Sequence, residues 1–377
     1  HAIGSFRIKD WFPRKRLMMN DAPAPTSAPS VQRILIIKLR HHGDMLLVTP
    51  VISSLRQNYP QAQIDVLLYQ ETQEMLASNP ELSTLFAIDR QWKKQGARAH
   101  LGHELALLRR LKAQRYDLVV NLADQWRSAI LTRLTGARIR LGFDFPKRRG
   151  FLWRHCHTQL VPVDNHAHLH TVEQNLSLLA PLNLPALSDH VTMSYDPQDW
   201  QACEQRLQKQ GVTGSYIVVQ PTSRWFFKCW SEEKMAATLT ALQADGHQLV
   251  ITSGPDAREQ AMVERILALC PPQGVISLAG QLTLRQLAAL IDHAKLFIGV
   301  DSVPMHMAAA LHTPCVALFG PSKLTFWRPW QATGAVIWAG DFGELPDPDA
   351  IDTGTDERYL DLIPTDAVIA AARSTLA

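Results

Sequence analysis

Three loops of the chain carry side chains able to do chemistry, and each follows a short run of β-branched residues. The first reads Arg40-His-His-Gly-Asp-Met45. Its Asp44 stands just before a helical segment, whose free N–H groups and partial positive charge favour an ionised carboxylate. A carboxylate there can take a proton from a hydroxyl, or it can simply cap the helix. The second loop, Gln220-Pro-Thr-Ser-Arg-Trp-Phe-Phe-Lys-Cys-Trp-Ser-Glu232, offers Thr222, Ser223, Arg224 and Lys228 as donors to phosphate oxygens; the alternative is an exposed loop ahead of a capped helix. The third, Gly299-Val-Asp-Ser-Val-Pro-Met-His-Met-Ala-Ala-Ala310, ends a strand in a polar turn and enters a small-residue helix. With Asp301, Ser302, Val303, Met305 and His306 it reads as an anion cradle that needs no metal, although a cap and an internal helix histidine would give the same residues.

The elements that position these loops alternate. Strands are expected at Arg33–Leu39, Gln63–Leu68, Asp117–Leu122 and Arg138–Gly142, with helical segments between them. A second series comprises Tyr216–Val219, Gln248–Thr252, Gly274–Leu278, Leu296–Val300 and Cys315–Phe319. Such alternation predicts doubly wound α/β lobes, with ligands outside the carboxyl ends of the strands. The expected division is a basic and Pro-rich arm over 1–30, a first Rossmann-like domain over 31–185, a second over 186–355, and a terminal helix over 356–377.

Composition narrows the function. Of 377 residues, 46% are hydrophobic and 19% charged, a globular balance for two cores, and a net charge of only +3 argues against nucleic acid as a partner. Five scattered cysteines suit neither a disulfide framework nor a zinc motif, and no apolar stretch reaches the ~20 residues of a membrane span. The expectation is a soluble cytoplasmic protein. Neither a Gly-x-Gly-x-x-Gly turn after a first strand nor a Walker-type phosphate loop is present, which removes support for dinucleotide oxidoreductases and P-loop enzymes. The histidines at 155, 157, 166, 168 and 170 lack the carboxylate or cysteine partners of a closed metal site. Lys147, Arg148, Arg149 and Arg154 form a basic cluster that is either solvated or in contact with an anionic acceptor.

Taken in order, Arg33-Ile-Leu-Ile-Ile-Lys with Gly43-Asp44, Pro221-Thr-Ser-Arg with Lys228 and Trp230, Asp301-Ser-Val-Pro-Met-His306, Phe319-Gly-Pro-Ser322 and His170-Thr-Val-Glu-Gln-Asn175 resemble glycosyltransferase family nine, the lipopolysaccharide heptosyltransferases, and most closely their heptosyltransferase III branch. The resemblance runs from about Val31 to the C-terminus. It implies a GT-B arrangement of two Rossmann-like lobes, an ADP-heptose donor on the second, an inner-core lipopolysaccharide acceptor on the first, and inverting transfer with Asp44 as base and no metal or cofactor. Donor contacts carried over by it are Thr222, Ser223, Lys228, Asp256, Leu282 and the Asp301–His306 turn. Lys147, Arg148, Arg149 and Arg154 then fall on the acceptor side, and the terminal helix is expected to cross back to the first lobe. Peripheral contact with the cytoplasmic face of the inner membrane, through the cluster and the basic arm, is a further implication. One departure stands out: Val303 occupies a position where the family commonly has glycine, so either the turn avoids positive φ or the phosphate contact changes. Transfer of a different nucleotide-activated sugar and a non-catalytic bilobed sugar-binding protein remain alternatives.

Overall fold

The computed structural model describes residues 31–377; the arm expected over 1–30 lies outside the described residues. The first lobe runs β1 (Arg33–Ile37), α1 (His42–Leu46), α2 (Thr49–Asn58), β2 (Gln63–Tyr69), β3 (Thr84–Ile88), α3 (Ala97–Ala113), β4 (Leu118–Asn121), α4 (Trp126–Leu134), β5 (Ile139–Asp144), α5 (Phe151–Cys156), β6 (Gln159–Pro162) and α6 (Thr171–Ser177). The second follows with α7 (Pro197–Lys209), β7 (Ile217–Gln220), α8 (Glu232–Ala244), β8 (Leu249–Ile251), α9 (Ala257–Ala268), β9 (Val275–Ser277), α10 (Leu284–Asp292), β10 (Leu296–Val300), α11 (Val303–Ala310), β11 (Cys315–Phe319), α12 (Leu324–Trp327), β12 (Gly334–Trp338) and α13 (Thr365–Leu376).

Both sheets have six strands among the described residues, in the orders β3-β2-β1-β4-β5-β6 and β12-β11-β10-β7-β8-β9. Every pairing between them is parallel. Counted from its own first strand, the second sheet repeats the order of the first. Central strands such as Ile34–Ile37 and Leu296–Val300 are buried on both faces, which is why they read as unbroken apolar runs. Gly299 lies opposite Gln220, and a Cβ on it would fall 2.6 Å from the Phe297 ring and 3.2 Å from the Gln220 carbonyl, so only glycine fits that register without a shift.

Three strands escape the sequence reading: β3, β6 and β12, all at sheet edges. The interlobe division also moves. Residues beyond 185 keep following α2 of the first lobe, because Asn58 donates to the Ala186 carbonyl, Ser54 and Ser188 exchange hydrogen bonds, and the Thr192 N–H donates to Thr49. The crossing into the second lobe therefore falls between Thr192 and α7. The terminal helix differs more. Instead of crossing to the first lobe, α13 packs on α8 and along β10, β11 and β12, burying Val368 and Ala372 in the second core. Trp230 Nε1 donates to the Ile363 carbonyl just before it, and Arg373 pairs with Asp245. Its apolar stripe is thus satisfied within its own lobe.

Candidate active site

In each lobe the strand order reverses beside the first strand, between β1 and β4 and between β7 and β10. Helices leave in opposite directions there and open a crevice. Asp44 follows β1, Ser223 and Lys228 follow β7, and the Asp301–His306 turn follows β10. Topology alone thus brings the three chemical loops to two facing switch points.

Asp44 is the third residue of α1, and its carboxylate accepts the His41 N–H at 3.3 Å. Capping and a position in the cleft therefore coexist. The residue is 8% exposed, enclosed but reachable. Lys38, at the carboxyl end of β1, loses basicity through burial, while the Asp44 charge works the other way. Arg40 and Asp124 complete this group. Burial raises the Asp124 carboxyl, but its bond to Lys147 and the charges of Lys147, Arg40 and Lys38 outweigh that and hold it below the usual range. Lys147 is thus bonded to Asp124, and the charges of Asp124 and Asp44 both reach Lys38, whose Nζ donates to the Leu122 carbonyl at 3.5 Å. Sequence reasoning quoted Lys38 within a motif but assigned it no task; the signal was a lysine closing an otherwise apolar strand next to a carboxylate.

Across the cleft, Lys228 Nζ lies 3.2 Å from Asp301 Oδ2, which also accepts the Ser322 hydroxyl at 2.8 Å. The three loops after β7, β10 and β11 are tied together through that one carboxylate. His306 is buried, and its Nδ1 has no partner among the described residues. Burial pushes its pKa down, opposed by Asp301 and Asp44 and reinforced by Lys228, so the ring is neutral at pH 7. Val303 begins α11 in helical conformation, outside the positive-φ residues, which answers the concern about the missing glycine: the turn uses conformations open to any residue. Gly43 faces this helix directly, since a Cβ on it would lie 3.7 Å from His306 Cδ2 and 4.0 Å from Val303 Cγ2.

Other expected residues take different places. Thr222 is fully buried and donates its hydroxyl proton to Glu259 at 2.7 Å, so that proton is spent inside the lobe and not aimed at a phosphate. Glu259, in the first turn of α9, also accepts the Gly254 N–H; its sequence position suggests only a favourable helix start, because its partner Thr222 lies 37 residues away. Ser223 is buried beside it and accepts the Trp225 N–H. Met305 is fully buried, its side chain turned into the core, so it offers no exposed ligand contact. Ser302 precedes α11 and donates to the Val300 carbonyl. Asp256 is exposed and caps α9 through the Arg258 N–H, a structural task in this arrangement, and Leu282 is half-buried in the loop before α10. The basic cluster divides: Lys147 and Arg148 are both fixed on Asp124, whereas Arg149 and Arg154 point to solvent. Of the histidines, His157 bonds Asn121 and the Trp153 carbonyl, His166 bonds Ser177, and His155 stacks on Phe151.

His170 ties the lobes together. Its Nδ1 accepts the Val172 N–H, its Nε2 bonds the Arg328 carbonyl at 2.8 Å, and its ring lies 4.6 Å from that of Trp330. Thr171 donates to the Phe326 carbonyl and Trp330 Nε1 to that of Asp189. Burial first, and the nearby Arg328 and His306 charges, drive the His170 pKa down to about 3 against the pull of that carbonyl.

Two equal Rossmann-like lobes with a carboxylate on one wall and a cationic, amide-lined turn on the other define a GT-B glycosyltransferase. The comparisons specify which kind. The family model of glycosyltransferase family 9 (heptosyltransferase) matches residues 104–353, and the chain belongs to that family. It is 47% identical over 338 residues to the lipopolysaccharide heptosyltransferase 3 of Escherichia coli, covering 90% of this chain and 97% of that protein. Among solved structures it is similar to a family 9 glycosyltransferase from Veillonella parvula, at TM-score 0.81 and 23% identity over 93% of this chain and 98% of that one. It is also similar to the E. coli ADP-heptose lipopolysaccharide heptosyltransferase II, at TM-score 0.72 and 23% identity over 92% and 98%. Among the described residues no helix is long and apolar enough to cross a membrane.

Proposed function

We propose that the chain transfers heptose from ADP-heptose to an inner-core heptose of lipopolysaccharide, with inversion and with Asp44 as general base, at the cytoplasmic face of the inner membrane. The observation that carries this reading is the apposition of Gly43 and α11, which makes the carboxylate and the donor turn two sides of one narrow gap. The acceptor hydroxyl attacks the anomeric carbon as the bond to the diphosphate oxygen breaks, and ADP leaves with the electron pair. Asp44 takes the hydroxyl proton. Lys228 and the N–H groups beginning α11 offset the charge that grows on the leaving diphosphate. Neutral His306, with its free Nδ1, can hydrogen-bond a donor oxygen without adding charge. Lys147 and Arg148, immobilised on Asp124, supply the acceptor side with fixed cations for anionic substituents; in this role they favour the acceptor at low ionic strength.

The test is ADP release by the full chain with a panel of nucleotide-activated sugars and a purified core acceptor lacking one heptose, followed by mass analysis of the product. Release confined to ADP-heptose with a mass gain of one heptose supports the reading. Turnover with another donor sugar overturns the donor assignment, and tight sugar binding without turnover overturns transfer altogether.

A further inference from the structure

Seven of the eleven large apolar side chains left exposed among the described residues lie on three neighbouring helices of the first lobe. On α4 they are Trp126, Ile130 and Leu134, spaced four apart and so on one face, while Ser128, Ala129, Leu131 and Thr132 fill the other. The adjoining α5 presents Phe151, 82% exposed, and Leu152, 54% exposed, and turns Trp153 and Cys156 inward. The two helices are joined by the edge-on contact of Trp126 with Trp153 at 5.6 Å, and α3 joins through Arg127 and Glu104, adding Leu101 and Leu105. Nothing in the core explains these residues. The four remaining exposed apolar side chains are spread over the second lobe.

Charge singles out the same face. Residues 97–156 hold thirteen Lys and Arg against four Asp and Glu, a net +9, although the whole chain carries +3; the remainder is therefore net −6. Arg133, Arg149 and Arg154 are exposed on or beside the apolar face, and Arg148 lies 5.2 Å above the Trp126 ring while donating to the Asp124 carbonyl. Large apolar side chains ringed by arginine, on helices too short and too mixed to insert, match the boundary between lipid headgroups and acyl chains. A second copy fits poorly, since a twofold contact would set one cationic face on another.

We propose that the outer face of α4 and α5, extended by α3, docks this protein on an anionic lipid bilayer, with Phe151 and Leu152 entering the acyl boundary and Arg133, Arg149 and Arg154 meeting the phosphates. This deepens the membrane placement in the proposed function by assigning it a face, and the flotation below reads that face whether or not transfer occurs. Arg148 links the docking face to the cleft, so a lipid-anchored acceptor rising from that surface meets the cations around Asp124.

Flotation of the full chain, including residues 1–30, with vesicles of equal parts phosphatidylcholine and phosphatidylglycerol, and with vesicles of phosphatidylcholine alone, tests the assignment. The protein is expected on the anionic vesicles and is shed as salt rises. F151S/L152S lowers the partition about tenfold, R149A/R154A by a similar factor, and L269S, an exposed apolar position on the second lobe, leaves it unchanged. F151S/L152S retains the native melting temperature and its transfer to a lipid-free core oligosaccharide. Undiminished binding by F151S/L152S, or equal binding to neutral vesicles, overturns the proposal, as does a lipid-free dimer that this variant dissociates.

Discussion

The two lobes share one strand order and yet do different work. In the first, the switch point gathers Lys38, Arg40, Asp44, Asp124 and Lys147, with Lys38 made less basic by burial and Asp124 held, against burial, below the usual carboxylate range mainly by Lys147. In the second, the same topological position holds the ion pair of Lys228 with Asp301 and the start of a small-residue helix, whose N–H groups are the proposed seat of the diphosphate. Topology decides where a ligand lies; the side chains on the loops decide whether that place takes protons or holds phosphate.

Substitutions that silence one lobe and spare the other probe this division. The largest effect is expected from Asp44→Asn, which keeps an acceptor for the His41 N–H but cannot take a proton: kcat should fall by about a thousandfold, with ADP affinity and melting temperature held. Turnover near the native rate removes Asp44 as base. Lys228→Ala should cost about a hundredfold and, unlike the first change, weaken ADP binding by calorimetry; loss of kcat with ADP affinity intact would move Lys228 away from the diphosphate.

The seam between the lobes responds to pH. His170 has its folded-state pKa pushed down to about 3, while the unfolded chain titrates near the ordinary 6.5. As pH falls below 6.5, the unfolded state takes up a proton that the folded state refuses, so the full contribution is present above that pH and is lost toward 3. His170→Asn should flatten the decline of Tm over this window; an unchanged slope assigns the acid sensitivity elsewhere. The smallest effect is expected at the seat of the terminal helix. Trp230→Phe removes the bond to the Ile363 carbonyl and should cost about 1–2 kcal/mol by urea unfolding, with kcat preserved.

The sequence disclosed the central strands because burial on both faces writes them as apolar runs, as in Ile34–Ile37 and Cys315–Phe319. The three edge strands that escaped lack that signature: β3 begins exposed and then alternates half-buried with buried positions, β6 is four residues ending in proline, and β12 has no buried position. The chemical loops were legible because each closes a strand and opens a helix. Partnerships across the fold were not. Nothing local in Thr222 points to Glu259, and only packing reveals that Met305 turns inward or that α13 stays with its own lobe. The basic cluster was visible as a run, but its division into anchored Lys147 and Arg148 and outward Arg149 and Arg154 depends on Asp124.

The clasp of His170, Thr171 and Trp330 works as a latch between the lobes. It is built of part-buried hydrogen bonds around the fully buried His170. A second tie between the lobes, Arg285 with Ser78 and Glu74, is longer and half-exposed. Of these contacts the Arg285 ones, at 3.3 and 4.0 Å, have the least to lose if the lobes part, whereas parting them at His170 costs a 2.8 Å hydrogen bond.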